Sequence, residues 1–128
     1  MKRHPKLQDL SREHHGALQL SLKAKRAASS GDHATIETTA AACLAAFYSA
    51  LDPHFIIEEN TLLPLLVSAG EDKLAKQLEH DHHELRRLAI QLARADAATL
   101  LCFAELLMSH VRFEERELFV VLEAILAA

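Results

Sequence analysis

Four histidines lie inside the apolar stripes of four helical stretches, and in two of these a glutamate follows the histidine one turn later. In the first stretch Leu7, Leu10, His14, Ala17, Ser21 and Ala24 recur at spacings of three and four, the signature of one buried helical face. The second repeats the pattern through Phe47, Leu51, His54, Glu58 and Leu65, and the third through Leu74, Leu78, His82, Leu85, Ala89 and Leu92. The fourth uses Phe103, Leu107, His110, Glu114 and Val121. Each stripe therefore carries an imidazole inward, where every polar group must find a partner within the protein.

Three punctuation points separate the stretches: Ser29-Ser30-Gly31-Asp32, Ser68-Ala69-Gly70-Glu71 and Ala95-Asp96. Four long helices with short connections predict an all-α fold, an up-down four-helix bundle, as one domain over residues 1–128. Composition agrees: no Trp, one Tyr and five Phe against many Leu and Ala disfavour a β-sandwich. Pro53 predicts a kink before His54, with non-helical geometry at Asp52, and Pro64 predicts an end or bend in the second helix.

The stripes belong to an internal repeat. HFIIEENTLLPLL, from His54 to Leu66, aligns with HVRFEERELFVVL, from His110 to Leu122, superposing the histidine and both glutamates at an offset of 56 residues. LSREHH from Leu10 aligns with LEHDHH from Leu78 at an offset of 68, placing Glu13 on Asp81, His14 on His82 and His15 on His83. In an HxxxE pair the two side chains lie about 40° apart around the helix axis, so imidazole and carboxylate reach one point in the core. Burying four imidazoles and two carboxylates as free groups costs several kcal/mol for each unpaired charge, a cost that a bound cation removes. Carboxylates can bridge two metals while each imidazole holds one. This donor set suits iron, manganese or zinc.

HFIIEENTLLPLL and HVRFEERELF resemble the two HxxxE segments of the hemerythrin-like, or HHE cation-binding, family, and REHHGAL and DHHELRRL resemble its single-histidine helices. The likeness covers nearly the whole chain. It implies an antiparallel four-helix bundle with a non-haem di-iron site of two iron ions, ligated by His14, His54, Glu58, His82, His110 and Glu114, the two glutamates bridging. In the family's oxygen carriers the carboxylate of the last helix falls five residues past its histidine, which leaves Glu115 as the alternative to Glu114. Those carriers also have two histidines one turn apart on the third helix, whereas His82 is preceded by Leu78 and followed by Arg86. By that comparison the third helix is one ligand short of the oxygen carriers, and the open coordination position this implies would still admit oxygen, peroxide or nitric oxide.

The remaining polar residues read more plainly. Glu59 and Glu115, about 140° from the preceding histidine, are expected to point sideways to Arg, Lys or solvent. His15, His80 and His83 fall off the inward faces, with His15 the alternative to His14. His4 and His33 serve helix starts, and Arg112 and Arg116 form a solvated face. Tyr48 borders the inward face, as a core or interface phenol or as a hydrogen-bond donor near the metals. Cys43 and Cys102 read as small buried apolar residues.

A net charge of −4 gives no basic stripe for nucleic acid. The first residues lack the apolar run of a signal peptide, and no stretch approaches the roughly 20 uninterrupted apolar residues of a membrane helix. A cytoplasmic protein is expected, without nucleic-acid or membrane partners. Its leading function is to bind or sense oxygen, nitric oxide or peroxide, or to handle iron. The alternatives are a centre that turns over peroxide or oxygen, and a structural metal, zinc by preference, in an interaction module.

Overall fold

The computed structural model describes residues 3–128. Four helices account for it, with no strand among the described residues: α1 (Pro5–Ser29), α2 (His33–Ser68), α3 (residues 72–94) and α4 (residues 97–127). Successive helices pack side by side, and α4 closes the square against α1, its most extensive partner. The architecture is the antiparallel bundle that the stripes and short connections predict.

The connections fall at the three punctuation points. Gly31 (φ 70°) and Gly70 (φ 75°) supply left-handed turns, and at the second the Glu71 amide reaches back to the Leu66 carbonyl at 2.8 Å. Ala95 adopts the same region (φ 54°, ψ 40°), which is costly for a residue with a Cβ. Asp32 and Asp96 then cap α2 and α4, accepting the backbone N–H of Thr35 and Thr99 at 3.2 and 2.7 Å. His4 caps α1 through Nδ1, which accepts from the Lys6 amide at 3.1 Å. Its own amide donates to Glu123 at 2.7 Å, joining the start of α1 to the end of α4.

Pro53 does not break α2. Residues Phe47–Leu51 widen into a π-helical turn, in which the Asp52 amide donates five residues back to the Phe47 carbonyl. Asp52 therefore stays helical (φ −64°, ψ −43°), contrary to the sequence expectation. Pro64 does interrupt the helix, at Leu62 (φ −98°), before it resumes as Leu63–Ser68. In α4 a second π-helical turn, Glu114–Leu118, has the Phe119 amide donating to the Glu114 carbonyl.

These two distortions follow Glu58 and Glu114 at repeat-equivalent places, and each advances the buried stripe by one residue. Leu66 and Leu122 are fully buried, where the uninterrupted period selects Leu65 and Val121, which are only partly buried. The other predicted inward positions are buried except Leu74, which is partly so, its neighbour Ala75 taking the interior place.

The core divides in two. Phe47, Phe55, Leu85, Leu100, Phe103 and Leu107 belong to one apolar cluster. Leu7, Leu10, Leu62, Leu66, Leu78 and Phe119 belong to another. Along every helix the buried histidine falls between residues of the two clusters, so a polar layer crosses the bundle.

Two expectations fail at the surface. Cys102 is exposed, on the outer side of α4, while Cys43 is buried and its thiol is pushed up to about 11 by desolvation. Tyr48, carried outward on the widened turn, is 57% exposed and meets Phe47 in a T-shaped contact, so it is not a core phenol. By length and composition alone His33–Ser68 meets a membrane-span criterion, with mean hydropathy 1.4 over 18 residues. The core helix of a bundle meets the same criterion, and this one packs Phe47, Leu51 and Phe55 into the interior beside buried His54 and Glu58.

Candidate metal centre

The HxxxE spacing places His54 above Glu58 on α2 and His110 above Glu114 on α4, while α1 and α3 contribute His14 and His82. All six residues are at most 4% exposed, and the two glutamates are fully buried. The structure brings the six sequence-predicted residues together in one layer.

Their donor atoms form two overlapping groups: His14, His54, Glu58 and Glu114, and Glu58, His82, His110 and Glu114, each with ligand atoms within 4.8 Å of one another. Both glutamates belong to both groups. Every histidine turns Nε2 toward them: His14 lies 2.8 Å from Glu114, His82 3.0 Å from Glu58, His54 3.3 Å from Glu58 and His110 3.4 Å from Glu114. The last two contacts are close without hydrogen-bond alignment. His54 Nε2, His110 Nε2, Glu58 Oε2 and Glu114 Oε2 are thus buried without a hydrogen-bond partner. Four such atoms, all of metal-ligating type and divided between the two donor groups, are the arrangement that bound cations satisfy.

Behind the imidazoles lies a set of carboxylates that the sequence reading did not assign. His14 Nδ1 donates to Glu115 at 2.5 Å and His54 Nδ1 to Glu13 at 3.0 Å. His82 Nδ1 donates to Glu59 at 2.7 Å and His110 Nδ1 to Asp81 at 2.8 Å. An ionised carboxylate only accepts, so each fixes the proton on Nδ1 and leaves Nε2 to face the centre. The pattern is cyclic: α1 supports the histidine of α2, α2 that of α3, α3 that of α4, and α4 that of α1.

Three supports are themselves held. Glu59 accepts from both terminal nitrogens of Arg86 at 2.7 and 3.2 Å, while Arg86 Nε donates to Asp52 at 2.8 Å. Glu115 accepts from Ser11 Oγ at 2.9 Å and from Arg3 at 3.1 Å, and Asp81 accepts from Gln77 at 2.9 Å. Among the described residues Glu13 has only His54, and its side chain is 51% exposed. The two positions one turn from His82 on α3 thus do other work: Arg86 holds a carboxylate in place and Leu78 packs in an apolar cluster. Aromatic faces complete the packing, Phe55 stacking on His82 at 4.1 Å and Phe119 on His14 at 5.3 Å.

Glu59 and Glu115 do point sideways and each does meet an arginine, Arg86 and Arg3, but neither is merely a surface group. From a neighbouring helix, sideways is the direction that reaches the back of an imidazole. The repeat carried the signal, since the alignment that pairs His54 with His110 also pairs Glu59 with Glu115, and the one that pairs His14 with His82 also pairs Glu13 with Asp81. As expected, His15, His80, His83 and His33 are exposed, as are Arg112 and Arg116. His15 contacts Gln19 and His33 contacts Glu37, so neither approaches the centre.

Electrostatics shows what holds the cluster when no cation does. Burial disfavours charge on His14 and His54, but adjacent carboxylates outweigh it. Glu114 and Glu115 raise His14 to about 9, and Glu114 and Glu58 raise His54 to about 11. Burial, then the charge of Glu114, lifts Glu58 to about 7. Burial also opposes ionisation of Glu114, but the charge of His110, the closeness of Glu58 and His54 and the hydrogen bond from His14 hold it well below the usual carboxylate range. Protons at these positions take the role that a metal would otherwise fill.

A protein-family model described as the Hemerythrin HHE cation binding domain matches residues 6–122, a span containing all six central residues and their four carboxylate supports. No curated protein and no solved structure matches the chain.

Proposed function

Because this chain belongs to the hemerythrin HHE cation-binding family, we propose that it holds two non-haem iron ions, one in each overlapping group, with Glu58 and Glu114 shared between them. The observation that carries the reading is that sharing: two imidazole pairs face the same two buried carboxylates. His14 and His54 serve one ion, and His82 and His110 the other. Such a centre supplies Lewis-acid and redox chemistry to a small oxygen-containing ligand. The chain's own part is to present four neutral imidazoles in one tautomer, fixed by Glu13, Glu59, Asp81 and Glu115, and to exclude bulk water with the two apolar clusters.

Each ion receives four protein donors. Two imidazoles with carboxylate oxygen and open positions are a donor set that non-haem iron uses to bind an added ligand. We read the protein on that basis as one that binds or senses oxygen, nitric oxide or peroxide, or handles iron, in the cytoplasm. The net charge of −4 supports a small-molecule ligand over nucleic acid. Four donors are also the complement of a closed zinc site, which favours a structural metal as the second reading.

Metal analysis of protein produced with iron, joined to an optical spectrum before and after oxygen, tests the choice. Two irons per chain and near-ultraviolet charge-transfer bands are expected. A colourless protein that takes a single zinc in the presence of ample iron would overturn the iron reading.

A further inference from the structure

We propose that the cleft between α1 and α2 is a binding site for a slender organic molecule with an apolar body and an anionic oxygen head, the head directed at the metal centre. The cleft has a volume of about 680 Å³. A water-sized ligand occupies about 30 Å³, so a diatomic molecule leaves nearly all of this space unused, whereas small-molecule sites commonly span roughly 300–1,000 Å³.

Its walls are apolar and low in profile: Gly16, Ala17 and Leu20 from α1 face Ala46, Ala50 and Pro53 from α2. Gly16 lies in the interior of α1, where glycine is a poor helix former. No tight packing requires it, since a Cβ built there meets no heavy atom within 4 Å. The volume that its missing side chain leaves is part of the cleft. Across from it, Ser49, Ala50 and Leu51 come from the widened turn of α2. Such turns recur at functional sites because they re-aim a short stretch of helix.

The inner end supplies the polar half of the argument. His54, His110 and Glu114 line the cleft, so its inner end lies against residues that would hold the metals. His14 also lines it, whereas His82 and Glu58 do not. The cleft therefore opens on the His14 and His54 side, where the supporting carboxylate, Glu13, is the most exposed of the four. Arg12 and Glu13 both line the cleft and offset each other in charge, so an anionic head is drawn by the metal centre at the inner end and not by the outer walls.

The head-group part of this inference rests on the metal reading, but the apolar part does not. Straight-chain carboxylates from acetate to octanoate are the probes, added to metal-loaded and to chelated protein. Affinity is read from amide NMR shifts, and metal content is measured on the same samples. In the loaded protein, affinity should rise roughly two- to fourfold with each methylene buried. The shifts should concentrate at Gly16, Ala17, Ala46 and Ala50. Gly16→Leu, which fills the cleft, should abolish the dependence on chain length while leaving metal content and acetate affinity unchanged, and Gly16→Ala should retain most of it. Affinity independent of chain length, or a Gly16→Leu protein that still favours octanoate, would overturn the proposal. Chain-length dependence in a protein that never takes up metal would uphold the apolar cleft and overturn the metal reading together with the head-group part that rests on it.

Discussion

Glu115→Ala separates a metal ligand from a residue that positions one. The Glu115 carboxylate lies 2.5 Å from His14 Nδ1, while Glu114 lies 2.8 Å from His14 Nε2. Removing Glu115 leaves the Nδ1–H of a ring that is 4% exposed without its acceptor, a loss of about 1–3 kcal/mol. Outer-shell partners of ligating histidines typically contribute 10- to 100-fold in metal affinity, or about 1.4–2.7 kcal/mol, so the two routes agree. The Glu115 side chain is 29% exposed and water can replace part of what is lost, which places the expected effect near the lower bound, about tenfold. Competition against a chromophoric chelator measures it. Glu115→Ala should still saturate with two metals, more weakly. Glu115→Gln, whose amide oxygen can accept from Nδ1–H, should recover most of the affinity. Glu114→Ala should lose both metals, because each shares that carboxylate. If Glu115→Ala empties the site as fully as Glu114→Ala, Glu115 is a ligand and the assignment is wrong; if affinity changes by less than about twofold, the contact is only a surface ion pair.

Metal uptake near neutral pH should release protons, because His14 and His54, raised to about 9 and about 11, carry them in the metal-free protein and cannot ligate until they leave. Apparent affinity should rise with pH from neutrality toward 9, and a pH indicator that registers no release on titration would refute this. Since these imidazole pKa values lie above the unfolded value near 6.5, their contribution to metal-free stability is fully present below that value and is lost as pH rises through about 9 to 11. Metal at about 1,000 times its dissociation constant should add about 4 kcal/mol, raising the melting temperature by roughly 10 °C or more over chelated protein. Equal melting temperatures, with metal loss verified, would reduce the layer to an ordinary polar core. Ala95→Gly should stabilise the protein by about 0.4–1 kcal/mol by relieving the left-handed residue, as read by denaturant unfolding; destabilisation would mean that the Ala95 methyl packs more than it strains.

The bundle was legible because its signals are local. Stripe period, glycine turns and Asp caps each act within a few residues, and all three connections fall where those signals lie. The six central residues were legible for the same reason, since His-to-Glu spacing along one helix sets a common direction. What escaped depends on neighbours. Whether Glu115 meets solvent or His14 is decided by how α4 lies against α1, which no spacing within α4 encodes. The shift of the stripe from Leu65 to Leu66 and from Val121 to Leu122 escaped because it depends on an interruption at Leu62 and a widened turn at Glu114. Pro64 marks the first of these in the sequence, but the second has no comparable residue.

The circuit of supports has a seam. Separated at residues 69–71, the bundle becomes two helical hairpins, each with one internal support, Glu13 to His54 or Asp81 to His110, and each aiming its second glutamate, Glu59 or Glu115, at a histidine of the other. The central donors divide the same way: each hairpin brings two histidines and one glutamate to its own donor group and takes the fourth donor from its counterpart. Neither hairpin holds a complete group alone, and any two copies of one hairpin that met face to face would reproduce the whole set. The bundle is therefore built as a dimer within one chain, its halves joined by the two apolar clusters and, in the layer between them, by the shared donors and the crossing supports Glu59 and Glu115.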